Sequence, residues 1–443
     1  MKIVILGAGN TGSYVAAALS QEQHDVILID RDAKVLEQVS REIDVATLLA
    51  SMPNLTVFSS LLEMKPDLFF AATSDDETNL VCCSLAKNLG IPKTVARISS
   101  RTYLESDQIN MGRLFYVDHF IGAEMLCAQD LFKLLTHTAD TAFQHFAHGH
   151  ILMRTIKIPS HWAKGEIPIK DLKLPQGLIA GLIRRDEEIL FPHGEDLIKA
   201  GDHATLIGKS NVINDLHDLF DIPERRIKSA VLVGGSEIAV HLAHLLQQQH
   251  ISVKIIEKCP VRSRELADRL PKATIINRNG KDFSALTEEG VQSADALVSC
   301  TEDEGTDLLI SSMAMQMGCP KSIALVGNPA CIPLFENANV TPALSSRVNV
   351  VNRLLAILHH STISVGSLSN DAAKIVELKV SPSSKLIGTP IAAMKLPSDL
   401  IIATIENHGK VMIGTGSSIL CPDDTVVAIC SPNRLEQLQH LFL

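Results

Sequence analysis

The stretch Val4-Ile5-Leu6-Gly7-Ala8-Gly9-Asn10-Thr11-Gly12 decides the fold of this chain. Three apolar residues end in a glycine-rich turn, and the residues that follow place apolar side chains at helical spacing. This is the pattern of a buried strand, a tight turn and a helix. A second copy, Val231-Leu232-Val233-Gly234-Gly235-Ser236-Glu237-Ile238-Ala239, lies near the middle of the chain. The sequence therefore predicts a duplicated unit.

The duplication continues beyond the two glycine turns. Three further segments return in the second half in the same order: Thr73-Ser74-Asp75-Asp76-Glu77 as Thr301-Glu302-Asp303-Glu304, Leu174-Pro175 as Leu396-Pro397, and Gly201-Asp202 as Asp423-Asp424. Each half thus contains the same two modules. A repeat with one intact and one altered glycine turn is more typical of a ligand-sensing assembly than of an enzyme with a single active site.

The hydrophobic pattern predicts two kinds of domain. Apolar strands alternate with amphipathic helices after each glycine turn, which indicates an α/β fold with a Rossmann-like, doubly wound parallel sheet. Short strands around turns follow, which indicates a small α+β module. Residues 124–135 are predicted to form a connecting helix that packs against a neighbour, and the serine-rich residues 359–370 a loop. We predict four domains: 1–138 (first Rossmann-like nucleotide-binding domain), 139–221 (first small module), 229–358 (second, degenerate Rossmann-like domain) and 371–443 (second small module).

The composition limits the classes of function. Of 443 residues, 46% are hydrophobic and only 4% aromatic, which suits sheets that are buried on both faces. The formal charge is -10 with no long basic run, so no nucleic-acid partner is expected. No apolar stretch reaches the ~18 residues that a membrane-spanning helix needs, so we expect a cytoplasmic protein. The cysteines form no Cys-x-x-Cys pair and the group His145, His148 and His150 lacks a metal-binding frame, so no metal site is predicted.

The first glycine turn has the features of a dinucleotide site. Gly7 permits the tight turn, Gly9 lets a pyrophosphate approach the backbone, and Gly12 lets the helix pack on the strand. Asp30 ends the second predicted strand, where a carboxylate accepts hydrogen bonds from both ribose hydroxyls. It also disfavours a 2'-phosphate, although Arg31 beside it leaves NADP open. The predicted phosphate-binding turn is completed by Ala8, Asn10 and Thr11.

A second group of residues is predicted at the same edge of the sheet. Thr73 and Ser74 follow the central strand, and their hydroxyls can reach a ribose or a phosphate. Arg97 ends the next strand and can pair with a pyrophosphate, with a surface ion pair as the alternative. Asn79 either caps the following helix or contacts the ligand.

The second copy loses these features one by one. Ser236 replaces the phosphate-facing glycine and Leu325 replaces the arginine, so both backbone access and positive charge are lost. Only Gly234 and the carboxylate of Glu257 remain as candidates for ligand binding in this half. A structural role without nucleotide is therefore favoured over a second dinucleotide site. Two more replacements are Ala239 for Gly12 and Asp307 for Asn79.

The sequence carries no sign of hydride-transfer chemistry. None of the three tyrosines begins a Tyr-x-x-x-Lys pair, and only a small strand-rich module follows the nucleotide domain. We predict no catalytic residues. A dinucleotide without an acid–base group beside it is better explained as a signal or a structural ligand. An NAD-dependent oxidoreductase and a generic nucleotide-binding scaffold remain as alternatives.

The order of these motifs resembles the TrkA family, the cytosolic regulatory subunits of Trk-type potassium uptake systems, built from tandem regulator-of-potassium-conductance (RCK) units. The resemblance implies NAD(H) in the first domain, bound by residues 7–12, Asp30, Thr73, Ser74 and Arg97, with ATP or ADP as further ligands. It also implies a homotetramer at the inner face of the cell membrane, under a potassium-translocating partner of the TrkH or TrkG type. Residues 46–54 depart from the family pattern near the adenine.

Overall fold

The computed structural model describes residues 1–104, 109–136, 140–146, 151–186, 188–213, 219–221, 227–301, 303–338, 340, 342–358, 362–368, 373–384, 386–394, 396–407 and 410–442. The predicted domain boundary at 138/139 and two histidines of the predicted non-metal group, His148 and His150, lie outside these residues. Among the described helices, none combines the length and the hydropathy that a bilayer crossing requires. Nor do the described side chains include a group of three or more metal-ligating residues.

The first half begins with a six-stranded parallel sheet in the order β3-β2-β1-β4-β5-β6. Its central strand β1 is paired on both sides, with Ile5 opposite Leu28 and Phe70. Helices cover both faces, which explains why the strands are apolar without alternation. The predicted fold class is confirmed. The strands are β1 Lys2–Leu6, β2 Asp25–Asp30, β3 Ala46–Leu49, β4 Leu68–Ala71, β5 Lys93–Arg97 and β6 His119–Ile121.

The helices of this domain begin where the sequence supplies capping side chains. Asp32 accepts a hydrogen bond from Lys34 N, Asn54 from Thr56 N, and Asp75 from Thr78 N, each at the start of a helix. Such caps fix the helix starts at the carboxyl edge of the sheet or close to it. The helices are Asn10–Gln21, Ala33–Glu42, Leu55–Glu63, Asp76–Asn88, Arg101–Leu104, Met111–Phe115 and Ala123–Thr136.

The second half repeats this architecture. Six parallel strands form a sheet with the equivalent order β16-β15-β14-β17-β18-β19. The strands are β14 Ser229–Val233, β15 Ser252–Glu257, β16 Thr274–Asn277, β17 Ala296–Ser299, β18 Ser322–Leu325 and β19 Ala343–Leu344. The helices are Glu237–Gln248, Pro260–Arg269, Phe283–Glu288, Glu304–Gln316, Ile332–Asn337 and Ser346–Leu358.

The first small module contains a five-stranded sheet, β11-β10-β13-β8-β7, and a strand pair, β12-β9. The five-stranded sheet is antiparallel throughout, as expected for strands joined by short turns. The strands are β7 Asp140–Phe146, β8 Ile151–Lys157, β9 Glu166–Pro168, β10 Leu178–Arg185, β11 Glu188–Leu190, β12 Leu197–Lys199 and β13 His203–Lys209, and helix Ser210–Ile213 follows.

The second small module corrects one prediction. Residues 362–368, placed in a loop from their serine content, form strand β20 Thr362–Leu368, which pairs antiparallel with β21 Ala373–Lys379. The β-branched residues Thr362, Ile363 and Val365 favour a strand, and the interspersed serines do not prevent pairing. The remaining elements are β22 Leu400–Asn407, β23 Lys410–Ile413, β24 Thr425–Cys430 and helix Leu435–Phe442, in the sheet order β20-β21-β24-β22-β23.

The last helix of the first sheet domain packs on the second half. In helix Ala123–Thr136, the buried residues Leu131 and Leu135 share a hydrophobic core with Leu232 and Val240. At the end of this helix, the Lys321 ammonium donates a hydrogen bond to the carbonyl of Leu134. The connecting helix therefore joins the halves, as its position in the sequence predicts.

The second half returns the same contact to the first. Helix Ser346–Leu358 places the buried side chains of Val350 and Leu354 in a core with Val15 and Leu19 of the first domain. The Lys93 ammonium donates to the carbonyl of Ile357 at 2.9 Å. Each half thus supplies a helix that completes the hydrophobic core of the other.

The exchange of helices can be tested at Leu131, which is fully buried. The change Leu131→Ala leaves a cavity in the core shared with the second half and should lower the free energy of unfolding by about 2–5 kcal/mol. Urea unfolding followed by circular dichroism measures this change. Gln129→Ala on the same helix is the control and should shift stability by about 0.5 kcal/mol or less. Equal shifts in both variants would show that this helix adds little to the second core.

Candidate nucleotide site

The first glycine turn is shaped by close backbone contacts. Gly7 has φ +102°, and a Cβ atom there would lie 3.1 Å from the backbone of Ala72 and Thr73. A Cβ atom on Gly12 would lie 1.8 Å from the carbonyl oxygen of Gly7. Gly9 differs, because no atom of the described residues lies within 4 Å of a Cβ atom built there. Gly7 and Gly12 are therefore required by the fold, whereas Gly9 faces open space that a ligand can enter.

The helix that follows this turn is Asn10–Gln21, and Gly9 is its N-cap. Among the described side chains none caps this helix, and its first turn contains no acidic residue. Free amides and the helix dipole together attract an anion to a helix N-terminus. The turn is thus suited to a phosphate group.

Asp30 is held in place by the backbone beside the turn. One carboxylate oxygen accepts from Ala8 N at 2.6 Å and the other from Asp32 N at 2.9 Å. These bonds orient the carboxylate and tie the end of β2 to the glycine turn. An ionised carboxylate has about four acceptor positions, so Asp30 retains capacity for ribose hydroxyls.

The opposite wall of the cleft is organised by Asn79, which is fully buried. Its side-chain oxygen accepts from Thr73 N at 3.0 Å and from Thr73 Oγ1 at 2.7 Å. Its amide nitrogen donates to the carbonyls of Thr73 at 3.1 Å and Arg97 at 2.9 Å. Asn79 therefore joins the ends of β4 and β5. It does not cap the helix, since Asp75 does so. Ser74 lies exposed beside Thr73.

Arg97 forms an ion pair inside the cleft. Its side chain is 17% exposed and pairs through Nη2 with Oε1 of Glu124, which is 14% exposed. Nη1 donates to the carbonyl of Thr73 at 3.3 Å. Within the described residues, Nε of Arg97 and Oε2 of Glu124 are buried and have no hydrogen-bond partner. The arginine is thus present at the predicted edge, but it is held by a carboxylate that the sequence analysis did not identify.

Asp76 adds a second carboxylate to this edge. It accepts from the amides of Ser99 at 2.9 Å and Ser100 at 2.8 Å. Burial raises the pKa of Asp76, and the negative charge of Glu124 raises it further, while those amides and Arg97 lower it. The signal for Glu124 in the sequence was its position in the first turn of the helix after β6.

The second cleft keeps the backbone geometry of the first. Gly234 has φ +101°, and a Cβ atom there would lie 2.5 Å from the carbonyl oxygen of Cys300. Glu257 accepts from Gly235 N at 2.7 Å and from Cys259 N at 2.7 Å, as Asp30 does in the first half. Gly234 and Glu257 therefore have a structural role that explains their presence without a ligand.

Side chains of the protein itself serve the second helix N-terminus. Ser236 caps helix Glu237–Gln248 by accepting from Ala239 N at 3.4 Å. Glu237, in the first turn, accepts from Arg262 at 2.8 Å and from Arg269 at 2.7 Å. The hydrogen bonds from Arg269 and Arg262 lower the pKa of Glu237 to about 2 against the effect of burial.

The same arginine also reaches the glycine turn. Arg262 Nε donates to the carbonyl of Gly235 at 2.7 Å. A Cβ atom on Gly235 would lie 2.6 Å from Leu266 and 3.3 Å from Arg262. The second turn is therefore crowded by helix Pro260–Arg269, and a carboxylate of the chain provides the negative charge that a phosphate would bring.

Asp307 occupies the place of Asn79 in the second half and is 1% exposed. Its oxygens accept from Thr301 N at 3.0 Å and from Thr301 Oγ1 at 2.9 Å. Burial raises the pKa of Asp307 to about 7, although the hydrogen bonds from Thr301 oppose the shift. An ionised carboxylate cannot donate hydrogen bonds to the strand carbonyls as the Asn79 amide does. Asp307 in this form therefore cannot join the two strand ends through such bonds.

The two clefts define a class of protein: a tandem pair of dinucleotide-fold domains, each with a small module. The chain belongs to the TrkA family, because the TrkA-N domain matches residues 3–112 and 230–346 and the TrkA-C domain matches residues 153–221 and 375–443. It is 30% identical over 451 residues to the Trk system potassium uptake protein TrkA homolog 1 of Methanosarcina mazei, with all of both chains covered. It is 26% identical to the Trk system potassium uptake protein TrkA of Haemophilus influenzae, covering 100% of this chain and 98% of that protein.

Solved structures share the fold. The RCK domain of GsuK superposes with a TM-score of 0.65 and 14% identity, covering 100% of this chain and 94% of that one. The GsuK channel bound to NAD gives the same TM-score and identity and covers 100% of this chain and 78% of that one. The RCK-type architecture predicted from the sequence is thereby confirmed.

The buried carboxyl group of Asp307 makes stability depend on pH. The pKa of Asp307 is about 7 in the folded chain against an ordinary value of 3.8, so the stability of the fold falls as pH rises from about 4 to 7. Asp307→Asn removes the charge and should stabilise the protein by on the order of 4 kcal/mol at pH 8, with most of the gain lost near pH 4. Urea unfolding over this pH range measures the effect. Asn79→Asp, the reverse change in the first half, should destabilise at pH 8. A gain that is the same at both pH values would contradict the assignment.

Proposed function

We propose that this chain is a regulatory, nucleotide-sensing subunit of a Trk-type potassium uptake system and has no catalytic activity of its own. The observation that carries the proposal is the difference between the two clefts. The two halves share one fold, but one helix N-terminus is open at Gly9, while Glu237 and Arg262 lie at the other. The cleft of the first half, which is open, is therefore the proposed site at which the regulatory nucleotide binds.

The ligand that suits the first cleft is NAD(H). The open turn at residues 9–12 accepts a pyrophosphate, Asp30 accepts from the ribose, and the wall of Thr73, Ser74 and Arg97 closes the other side. A carboxylate at Asp30 repels a 2'-phosphate, which favours NAD(H) over NADP(H). ATP and ADP share the adenosine and phosphate groups of NAD(H) and are proposed as competing ligands. One solved structure shows the GsuK channel bound to NAD, and another shows GsuK bound to ADP.

The proposed assembly is a homotetramer beneath a membrane potassium-translocating subunit of the TrkH or TrkG type. Support comes from matching apolar side chains exposed on both halves. Val81 and Leu309 occupy the same position of equivalent helices and are 40% and 47% exposed, and Leu114 and Leu334 are 56% and 59% exposed. We propose that these exposed side chains take part in contacts with further copies of the chain. The proposed location is the cytoplasmic face of the membrane, through the partner.

The binding site is tested by calorimetric titration of NADH. Gly9→Val fills the space that a pyrophosphate needs, and Asp30→Ala removes charge-assisted hydrogen bonds worth roughly 1.5–3 kcal/mol. Both variants should bind NADH more weakly, by tenfold or more for Asp30→Ala. Ser236→Val is the matched control in the second cleft and should leave affinity unchanged. The expected stoichiometry is one NADH per chain. Two equivalent sites, or unchanged affinity in both first-cleft variants, would refute this assignment.

The regulatory role is tested by potassium flux in proteoliposomes that contain a TrkH-type partner. Addition of the chain should change the flux, and NADH, ATP and ADP should change it to different extents. A ligand shifts a conformational equilibrium only through its different affinities for the two states, typically by about 1–3 kcal/mol. The chain with Gly9→Val should lose the response to nucleotide and still bind the partner. No effect of the wild-type chain under any nucleotide would leave only a nucleotide-binding scaffold.

A further inference from the structure

The ion pair between Arg97 and Glu124 is largely buried, yet it leaves part of the hydrogen-bonding capacity of both groups unused. One bond joins the two groups, although a carboxylate and a guanidinium can form two. The second oxygen of Glu124 and Nε of Arg97 are buried, and the described structure gives neither a hydrogen-bond partner. A buried charged pair with unused donors and acceptors is costly. A ligand group that forms more hydrogen bonds with Arg97 than Glu124 does can therefore replace Glu124 at this site.

We infer that Glu124 is an internal competitor for the phosphate site: it holds Arg97 in the absence of nucleotide, and a phosphate that pairs with Arg97 displaces it. This inference rests on the proposed function and names the residue that regulates the site. Phosphate and carboxylate oxygens accept from the same guanidinium donors, so a phosphate that takes Nη2 of Arg97 excludes Glu124 from it. Asp76 is close enough for the charges of both Glu124 and Arg97 to act on it, so it belongs to the same group of charges.

Displacement of Glu124 has a direct path to the second half. Glu124 is in the first turn of helix Ala123–Thr136, where its negative charge also favours the helix dipole. Leu131 and Leu135 of that helix lie in the core of the second half. A helix transmits a shift of its first turn along its length, because packed elements move as units. Binding of a nucleotide in the first cleft thereby changes the position of a helix that packs in the core of the second half.

The second half does not repeat this device. Leu325 ends β18 where Arg97 ends β5, and Arg347 is the second residue of its helix where Glu124 is in the first half. Burial lowers the pKa of Arg347. A cation at that position cannot compete with a phosphate, so the competition belongs to the nucleotide-accepting half alone.

The test is a double-mutant cycle measured by calorimetric titration of the full-length chain with NADH and with ATP. Glu124→Gln keeps the shape and removes the competing charge, so affinity for the nucleotide that reaches Arg97 should rise about fivefold or more. Glu77→Gln is the matched control: this carboxylate is on the same edge but accepts from Tyr103 at 2.8 Å. Its removal should change affinity less than twofold. Glu124→Asp, which retracts the carboxylate from Arg97, gives the same direction if Glu124→Gln does not fold.

The cycle is completed in the Arg97→Ala background. In that background Glu124→Gln should raise nucleotide affinity no more than the Glu77→Gln control does, because the Arg97 guanidinium for which Glu124 and the phosphate compete is absent. A gain of equal size with and without Arg97, or no gain in the wild-type background, overturns the inference while leaving nucleotide binding intact. Failure of the wild-type chain to bind either nucleotide overturns the proposed function itself, and that outcome is distinct. A gain for ATP but not NADH would identify the terminal phosphate as the group that displaces Glu124.

Discussion

Each half of the chain depends on a helix that the other half supplies. Helix Ala123–Thr136 fills the core of the second domain and Ser346–Leu358 fills the core of the first. Burial of leucine-sized side chains at these contacts contributes roughly 1.5–3 kcal/mol each, so neither sheet domain is complete by itself. The lysines Lys93 and Lys321, one from each half, bind the carbonyls at the ends of the exchanged helices. Two domains joined in this way must respond together.

This mutual dependence explains how the clefts diverged while the fold remained. The second glycine turn still needs Gly234 because Cys300 packs against it, and it still needs Glu257 to hold the turn. It no longer needs a phosphate, since Glu237 brings a negative charge to the helix N-terminus and two arginines neutralise it. The second half thus retains the architecture of a nucleotide domain and uses internal ion pairs where the first is open to a ligand. The second sheet domain, held by its own ion pairs, therefore serves as a rigid support for the first domain, whose cleft is open to a ligand.

Much of the fold follows from the sequence because its signals are local. The glycine turn at residues 7–12 and the period of the apolar residues identify strands and helices within a few positions, and the repeat doubles that evidence. The strand at 362–368 was predicted as a loop because its serines are typical of loops, although its β-branched residues favour a strand. Capping side chains such as Asp75 are equally local and mark where helices start.

The candidate site was harder to predict because its decisive contacts join distant residues. Gly9, Asp30, Thr73 and Arg97 were identified from their places at strand ends, and the structure brings them to one edge. Glu124, 27 positions from Arg97, gave no signal that would assign it to that arginine. The bonds of Arg262 to Gly235 and Glu237 are of the same kind. Such pairs depend on how the helices pack on each other. The periodicity of apolar residues predicts where these helices lie in the sequence but not which side chains they bring into contact.

The most direct test of the account is hydrogen–deuterium exchange of the whole chain with and without saturating NADH. The account predicts slower exchange at residues 7–12 and 73–79, altered exchange along helix Ala123–Thr136 and helix Glu237–Gln248, and no protection at the second turn, residues 234–236. Protection of equal size at both glycine turns would contradict it. So would protection confined to the first turn without any change in the connecting helix.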